Sequence, residues 1–141
     1  VLRLHRIAPI RRSGAVTDSC RFFIILGALG MASAIALGAF GAHALRERVE
    51  PADLAIWQTG VQYHLVHALG LFVIAFLVQT WPDLTGLRLS GGLMIAGVFL
   101  FSGSLYLLVL SGTRWLGAIT PLGGVAFLAA WILLAWNTWR A

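Results

Sequence analysis

Three of the four histidines stand beside or inside long apolar stretches, at His43, His64 and His67. The last two are three residues apart, which on a helix sets them about 60° apart and on one side. Neutral imidazole is a ligand for zinc, copper or iron, so these three form a candidate metal set with water or another group completing the shell. Histidines on facing helices are also candidate axial ligands to haem. Tyr63, Ser102, Ser104, Tyr106 and Thr120 add neutral hydroxyls at comparable depth, and together they would line a channel or transporter path for a small polar solute. A third reading makes the same groups interhelical hydrogen bonds that order a bundle, at about 0.6–2 kcal/mol each.

Other chemistries lack their residues. All five acids (Asp18, Glu47, Glu50, Asp53, Asp83) lie in the tail or between apolar runs, and every basic residue is arginine. Proton-coupled export through an intramembrane carboxylate, a lysine Schiff base and a lysine-bearing phosphate loop therefore have nothing to carry them. Nor is there a Ser/His/Asp triad. Cys20 is the single cysteine, which excludes an internal disulfide and a CxxC pair. The expectation is a non-enzymatic interaction or accessory protein, without a resident cofactor unless the histidines bind metal or haem.

The elements that must position these groups follow from composition. The 141 residues are 60% hydrophobic and 11% charged, against about 25% charged in a soluble domain. A helix crossing a bilayer needs about 20 apolar residues. Four runs satisfy this, at about 22–45, 61–81, 87–110 and 120–139. The second run lies in a helix starting near Pro51, and the fourth starts with Thr120 as N-cap and Pro121 at the first helical position. Short connections make neighbours antiparallel, so the expected architecture is all-α, an up-down-up-down bundle of four transmembrane helices forming a single domain over 16–141. Trp81, Trp115, Trp136 and Trp139 mark span ends, Trp57 falls just outside one, and Trp131 reads as buried. Gly30, Ala34, Gly38 and Ala42 form a small-residue ridge on the first helix, for packing inside the monomer or on a second copy. Gly92/Ala96 and Ala126/Ala130 extend that logic to the later helices.

A net charge of +5 in a soluble protein would suggest nucleic acid. Here no basic stripe exists, and the arginines read as orientation, with no nucleic-acid partner. With both termini cytoplasmic, Arg3, Arg6, Arg11, Arg12, Arg21, Arg88 and Arg140 lie inside and Arg46, Arg48 and Arg114 outside. Counting only from Val16 gives three on each side. Residues 1–15 read as a disordered basic tail or as sequence ahead of a start at Val16. Being rich in arginine and free of acids, they also resemble a mitochondrial presequence, which makes the mitochondrial inner membrane the alternative location. A cleaved secretory signal fits less well, because the first apolar run exceeds the ~7–15 residues of a signal core.

Several blocks together resemble the domain of unknown function 423 family, small four-helix membrane proteins of bacteria to which animal transmembrane protein 256 is similar. They are Gly38-Ala39-Phe40-Gly41-Ala42-His43-Ala44-Leu45, Trp57-Gln58-Thr59-Gly60, Tyr63-His64-Leu65-Val66-His67-Ala68-Leu69, Leu100-Phe101-Ser102-Gly103-Ser104-Leu105-Tyr106 and Thr120-Pro121-Leu122-Gly123-Gly124. The resemblance covers nearly the whole chain from Val16. It implies a four-helix protein of the bacterial inner membrane, in contact with the bilayer and with a homo-oligomer or membrane-protein partner open, and it implies no activity. It also implies counterparts of His43 and His67 in the family, with other polar residues allowed at the position of His64.

Overall fold

The computed structural model describes residues 14–140; most of the tail expected over 1–15, with Arg3, Arg6, Arg11 and Arg12, lies outside the described residues. Four helices among the described residues are long and apolar enough to cross a membrane, and no strand occurs among them. We name them α1 (Asp18–Leu45), α2 (Pro51–Thr80), α3 (Thr85–Ser111) and α4 (Thr120–Trp139, preceded by a 3-10 turn at Arg114–Ala118). Helices are required because lipid offers backbone groups no partners.

Local chemistry sets the ends. The Thr17 hydroxyl accepts from the Cys20 amide at 3.2 Å and caps α1. Pro51 occupies the first turn of α2, where its missing N–H costs nothing. Gly112 takes φ 69° to end α3, a left-handed conformation suited to glycine. Thr120, expected as an N-cap, is already helical; its hydroxyl turns sideways to Ser104 at 2.8 Å. Two stretches widen into π-helical turns, Gly41–Leu45 at the end of α1 and Val98–Gly103 within α3.

Contacts at both ends make each neighbouring pair antiparallel. The Thr17 amide donates to the Gln79 side chain at 2.9 Å, while the Trp57 indole N–H donates to the Leu37 carbonyl at 2.9 Å. Gly70 meets Met94 and Gly60 meets Tyr106 between α2 and α3, and Gly86 meets Asn137 while Gly97 meets Phe127 between α3 and α4. On the side of the α1–α2 and α3–α4 connections, the Arg114 guanidinium grips Asp53 with two hydrogen bonds of 2.5 and 3.0 Å. Half of the apolar stretch of α2 is buried inside the bundle, against 17% for α1, so α2 is the hub. Phe23, Ile74, Leu87, Met94 and Ala130 form the core on the side of the termini. Leu45, Trp57, Leu108 and Val109 form a smaller core on the other side.

The small-residue ridge packs inside the monomer, with altered membership. Gly27, Gly30, Ala34, Gly38 and Gly41 face α2 against Ala68, Val61 and Trp57, whereas Ala42 points away from the bundle. The reason is periodicity: steps of four advance 40° beyond a full turn each time, so a strict i, i+4 row drifts off the face. Steps of three, four, four and three, as from Gly27 to Gly41, stay on it. In α3, Gly91 and Gly97 make the close approaches, while Gly92 has nothing within 4 Å and Ala96 is exposed. Trp57 also departs from expectation: it is 1% exposed, with its ring against Phe40 and Tyr106. Trp131, expected to be buried, is 39% exposed, with its N–H on His67 and its ring edge by Gly70.

A methyl group at Gly123 would overlap the Phe101 backbone nitrogen, which cannot rotate away. Gly123→Ala is expected to lower stability by about 1–3 kcal/mol. Gly92→Ala, with open space around it, is expected to raise stability by about 0.5–1 kcal/mol. Thermal unfolding of both variants in the same detergent checks the pair.

Candidate functional site

The polar groups expected on one side of the bundle divide into separate clusters, because α2 stands between them. His67 faces α4. Its Nδ1 lies 2.7 Å from the Tyr63 carbonyl, which can only accept, so Nδ1 carries the proton. Its Nε2 receives the Trp131 indole N–H at 3.1 Å. The ring stacks on Phe127, and Tyr63 lies against Phe101 and Phe127. Both nitrogens of His67 are thus satisfied by short bonds, and its lone pair is occupied.

His64, one turn earlier and about 60° around the helix, meets different neighbours, Ser33 of α1 and Tyr106 of α3. Its Nε2 lies 3.5 Å from the Ser33 hydroxyl and its Nδ1 3.4 Å from the Tyr106 hydroxyl. These are the long limit of hydrogen bonding, where ordinary N–H···O bonds cluster near ~2.9–3.0 Å. His64 borders a cleft of about 540 Å³. Leu26, Leu29, Ser33 and Leu37 of α1 form one wall, and Ile95, Val98, Phe99 and Tyr106 of α3 form the other. Ala68 and Leu71 continue the floor on α2. Leu29 and Phe99 on the rim are 62% and 74% exposed, so the slot opens sideways, toward lipid. Toward the termini Phe23 packs on Gly91, and at the other end Trp57 stands between Phe40 and Tyr106. At ~1.5 Å rise per residue, Ser33 and His64 lie roughly 20 Å along their helices, near the middle of the span.

The remaining candidates do not converge on this cleft. Ser104 donates to the Phe101 carbonyl at 2.9 Å and pairs with Thr120, tying α3 to α4. Ser102 is fully buried and its hydroxyl has no hydrogen-bond partner. His43 is exposed in the π-helical end of α1. Among the described residues, no three His, Cys, Asp or Glu side chains are grouped to hold a metal ion. The set His43, His64 and His67 is therefore not assembled here, since a 60° offset on α2 suffices to send its two histidines to different neighbours. Tyr63, Ser102, Ser104, Tyr106 and Thr120 likewise do not form one continuous lining.

Residues 37–124 match the family described as protein of unknown function, DUF423. The chain belongs to the DUF423 family. It is 53% identical over 114 residues to the UPF0382 membrane protein YwdK of Bacillus subtilis, covering 81% of this chain and 93% of that protein. It is 41% identical over 120 residues to a UPF0382 membrane protein of Staphylococcus haemolyticus, covering 85% and 97%. No solved structure matches it significantly. The protein is accordingly an integral membrane protein of this family, in contact with the bilayer.

Two partners of this DUF423 bundle's histidines escaped sequence reasoning. Ser33 is the one polar side chain between Arg21 and His43, a signal that was present in the sequence. Trp131 sits far from a span end, where tryptophan is not needed as an interfacial anchor, and that was the hint of an internal partner.

The two histidines differ in how strongly they are coupled to their neighbours. A double-mutant cycle with His67→Phe and Trp131→Phe is expected to give a coupling energy of about 0.5–1.5 kcal/mol. The cycle with His64→Phe and Ser33→Ala is expected to give a value close to zero. Unfolding of the parent and the six variants in one detergent measures both.

Proposed function

We propose that this protein is a non-enzymatic binding protein that takes a neutral, largely apolar small molecule from the bilayer into the cleft between α1, α2 and α3. The carrying observation is the contrast between the two histidines. His67 has two short bonds, whereas His64, beside an open slot of about 540 Å³, has two contacts of 3.4 and 3.5 Å. A buried polar ring so loosely paired gains free energy from a ligand that bonds it well. The lining is otherwise apolar and carries no formal charge, which suits a neutral ligand. The non-enzymatic reading rests on the absence of acids and lysine from the apolar runs. A metal or haem role receives less support, since an indole N–H occupies the free nitrogen of His67 and His43 is remote from the slot-facing His64.

The test is to purify the protein in a mild detergent from a bacterial host, extract it with organic solvent and identify what was bound by mass spectrometry. One apolar species at about one per chain is expected. Gly103 lines the cleft, and a Cβ there would meet only the Val98 carbonyl oxygen at 3.9 Å, so Gly103→Leu adds bulk at the slot from an unobstructed Cβ. That variant is expected to lose the bound species. Identical extracts from both proteins, holding only bulk lipid, would sink the reading.

We further propose residence in the bacterial cytoplasmic membrane with both termini in the cytoplasm. The arginine excess on the termini side supports this, with Arg21, Arg88 and Arg140 joined by four more ahead of Val16. A fluorescent protein fused after Ala141 is expected to fluoresce and alkaline phosphatase at the same place to stay inactive; the reverse result refutes the orientation.

A further inference from the structure

We infer that the occupant of the cleft is a quinone bearing an apolar isoprenoid tail, its ring carbonyl hydrogen-bonded to the N–H of His64, whose tautomer Tyr106 holds; this rests on the binding reading above. Three observations narrow the chemistry. The first is depth. Ser33 and His64 lie roughly 20 Å from the starts of their helices, so the polar end of the ligand sits near the middle of a hydrocarbon layer ~30 Å thick. A phospholipid headgroup stays at the surface, whereas a neutral isoprenoid lipid can lie wholly within the layer.

The second is charge. The polar side chains on the cleft wall are Ser33, His64 and Tyr106, without an arginine or a carboxylate among them. An anionic fatty acid or a cationic amine would be desolvated there with no counter-charge.

The third is the direction of the donors. Ser33 donates its hydroxyl proton to the Gly30 carbonyl at 3.0 Å, so toward His64 it presents an acceptor. The Nε2 facing it therefore carries the proton, and Nδ1 presents its lone pair to the Tyr106 O–H. The two ring nitrogens point to different sides, so the Tyr106 O–H stays on Nδ1 and holds this tautomer, and the Nε2 N–H, whose present acceptor stands 3.5 Å away, is the donor open to a ligand. A carbonyl oxygen, a pure acceptor, satisfies such a donor. A flat ring also suits a slot whose α3 wall contains the aromatic rings of Phe99 and Tyr106. No electron transfer is part of this inference.

Trp57 is the reporter, because its ring centroid lies 4.7 Å from that of Tyr106 and quinones quench indole fluorescence. Decylubiquinone is titrated into the full chain in phosphatidylcholine nanodiscs. Saturable quenching is expected, together with a shift of the quinone carbonyl stretch to lower wavenumber in infrared difference spectra. His64→Leu is expected to weaken binding about tenfold and to remove the carbonyl shift, and Tyr106→Phe, which no longer holds the His64 tautomer, to weaken binding by a smaller factor. His64→Gln keeps an N–H donor and is expected to retain binding within a few-fold, and Gly103→Leu to abolish it. A long-chain bromoalkanol, titrated in parallel, separates the two levels of the argument. If the bromoalkanol quenches saturably and Gly103→Leu blocks it while decylubiquinone does not bind, the quinone inference is overturned and the binding reading stands. If neither binds, both fall. Quinone binding with an unshifted carbonyl, or equal binding by His64→Leu folded as stably as the parent, also overturns the inference.

Discussion

Everything in this bundle depends on how closely α1 lies against α2. Lipid supplies no hydrophobic drive for helix association, so dispersion between closely approaching backbones must do it. Gly27 and Gly30 press on Ala68, Gly38 on Val61, and Gly41 on the Cδ1–Nε1 side of the Trp57 ring, where an added Cβ would lie 2.6 Å from it. That closeness has a geometric consequence. A helix seated so deeply on α2 meets α3 through Phe23 against Gly91 toward the termini, while at the other end Trp57 of α2 stands between Phe40 and Tyr106. Between those contacts the walls stay apart and the cleft remains. The cavity is thus a product of tight packing elsewhere in the same bundle, with α2 as its floor.

Two histidines on one helix illustrate how position within such a bundle divides roles. His67 meets a carbonyl on one nitrogen and an indole N–H on the other, and Phe127 covers its face. Nothing is left over, and the ring joins α2 to α4. His64 has equivalent chemistry but faces the gap that α1 and α3 leave. Its partners are a serine already committed to Gly30 and a tyrosine whose ring is held by Trp57. Neither can move closer without giving up its own packing. The loose pairing of His64 therefore follows from the satisfaction of its neighbours.

How much of this was legible beforehand varies with the range of the interaction. The four spans, their antiparallel order and the start of α2 at Pro51 are local properties of apolar length, short connections and proline geometry, and they could be read directly. The packing face of α1 was half legible. Gly30, Ala34 and Gly38 were evident, but the strict spacing of four led to Ala42, whereas Gly27 and Gly41 hold the face. Trp57 was misplaced because a tryptophan near a span end is usually an anchor, and its burial depends on Gly41 of another helix leaving room for it. The separation of His64 from His67 was illegible for the same reason: a 60° offset becomes a division only when different helices lie on either side.

The π-helical turn at Val98–Gly103 is the deepest of these hidden features, because it moves every residue beyond it. A π-turn adds one residue to the helical repeat, rotating the following positions by about 100° relative to a regular helix. Ser104 and Tyr106 stand just after it. In a regular α3 with the same approach from Thr85, Tyr106 would leave His64 and Ser104 would leave Thr120. Gly97 and Gly103 bracket the turn, the first giving way to Phe127 and the second opening onto the cleft. Hydrophobic periodicity assumes a constant repeat and so cannot register this insertion. Yet it is this insertion that brings the phenol of α3 to the imidazole of α2, and with it the contact that leaves the His64 N–H directed at the cleft.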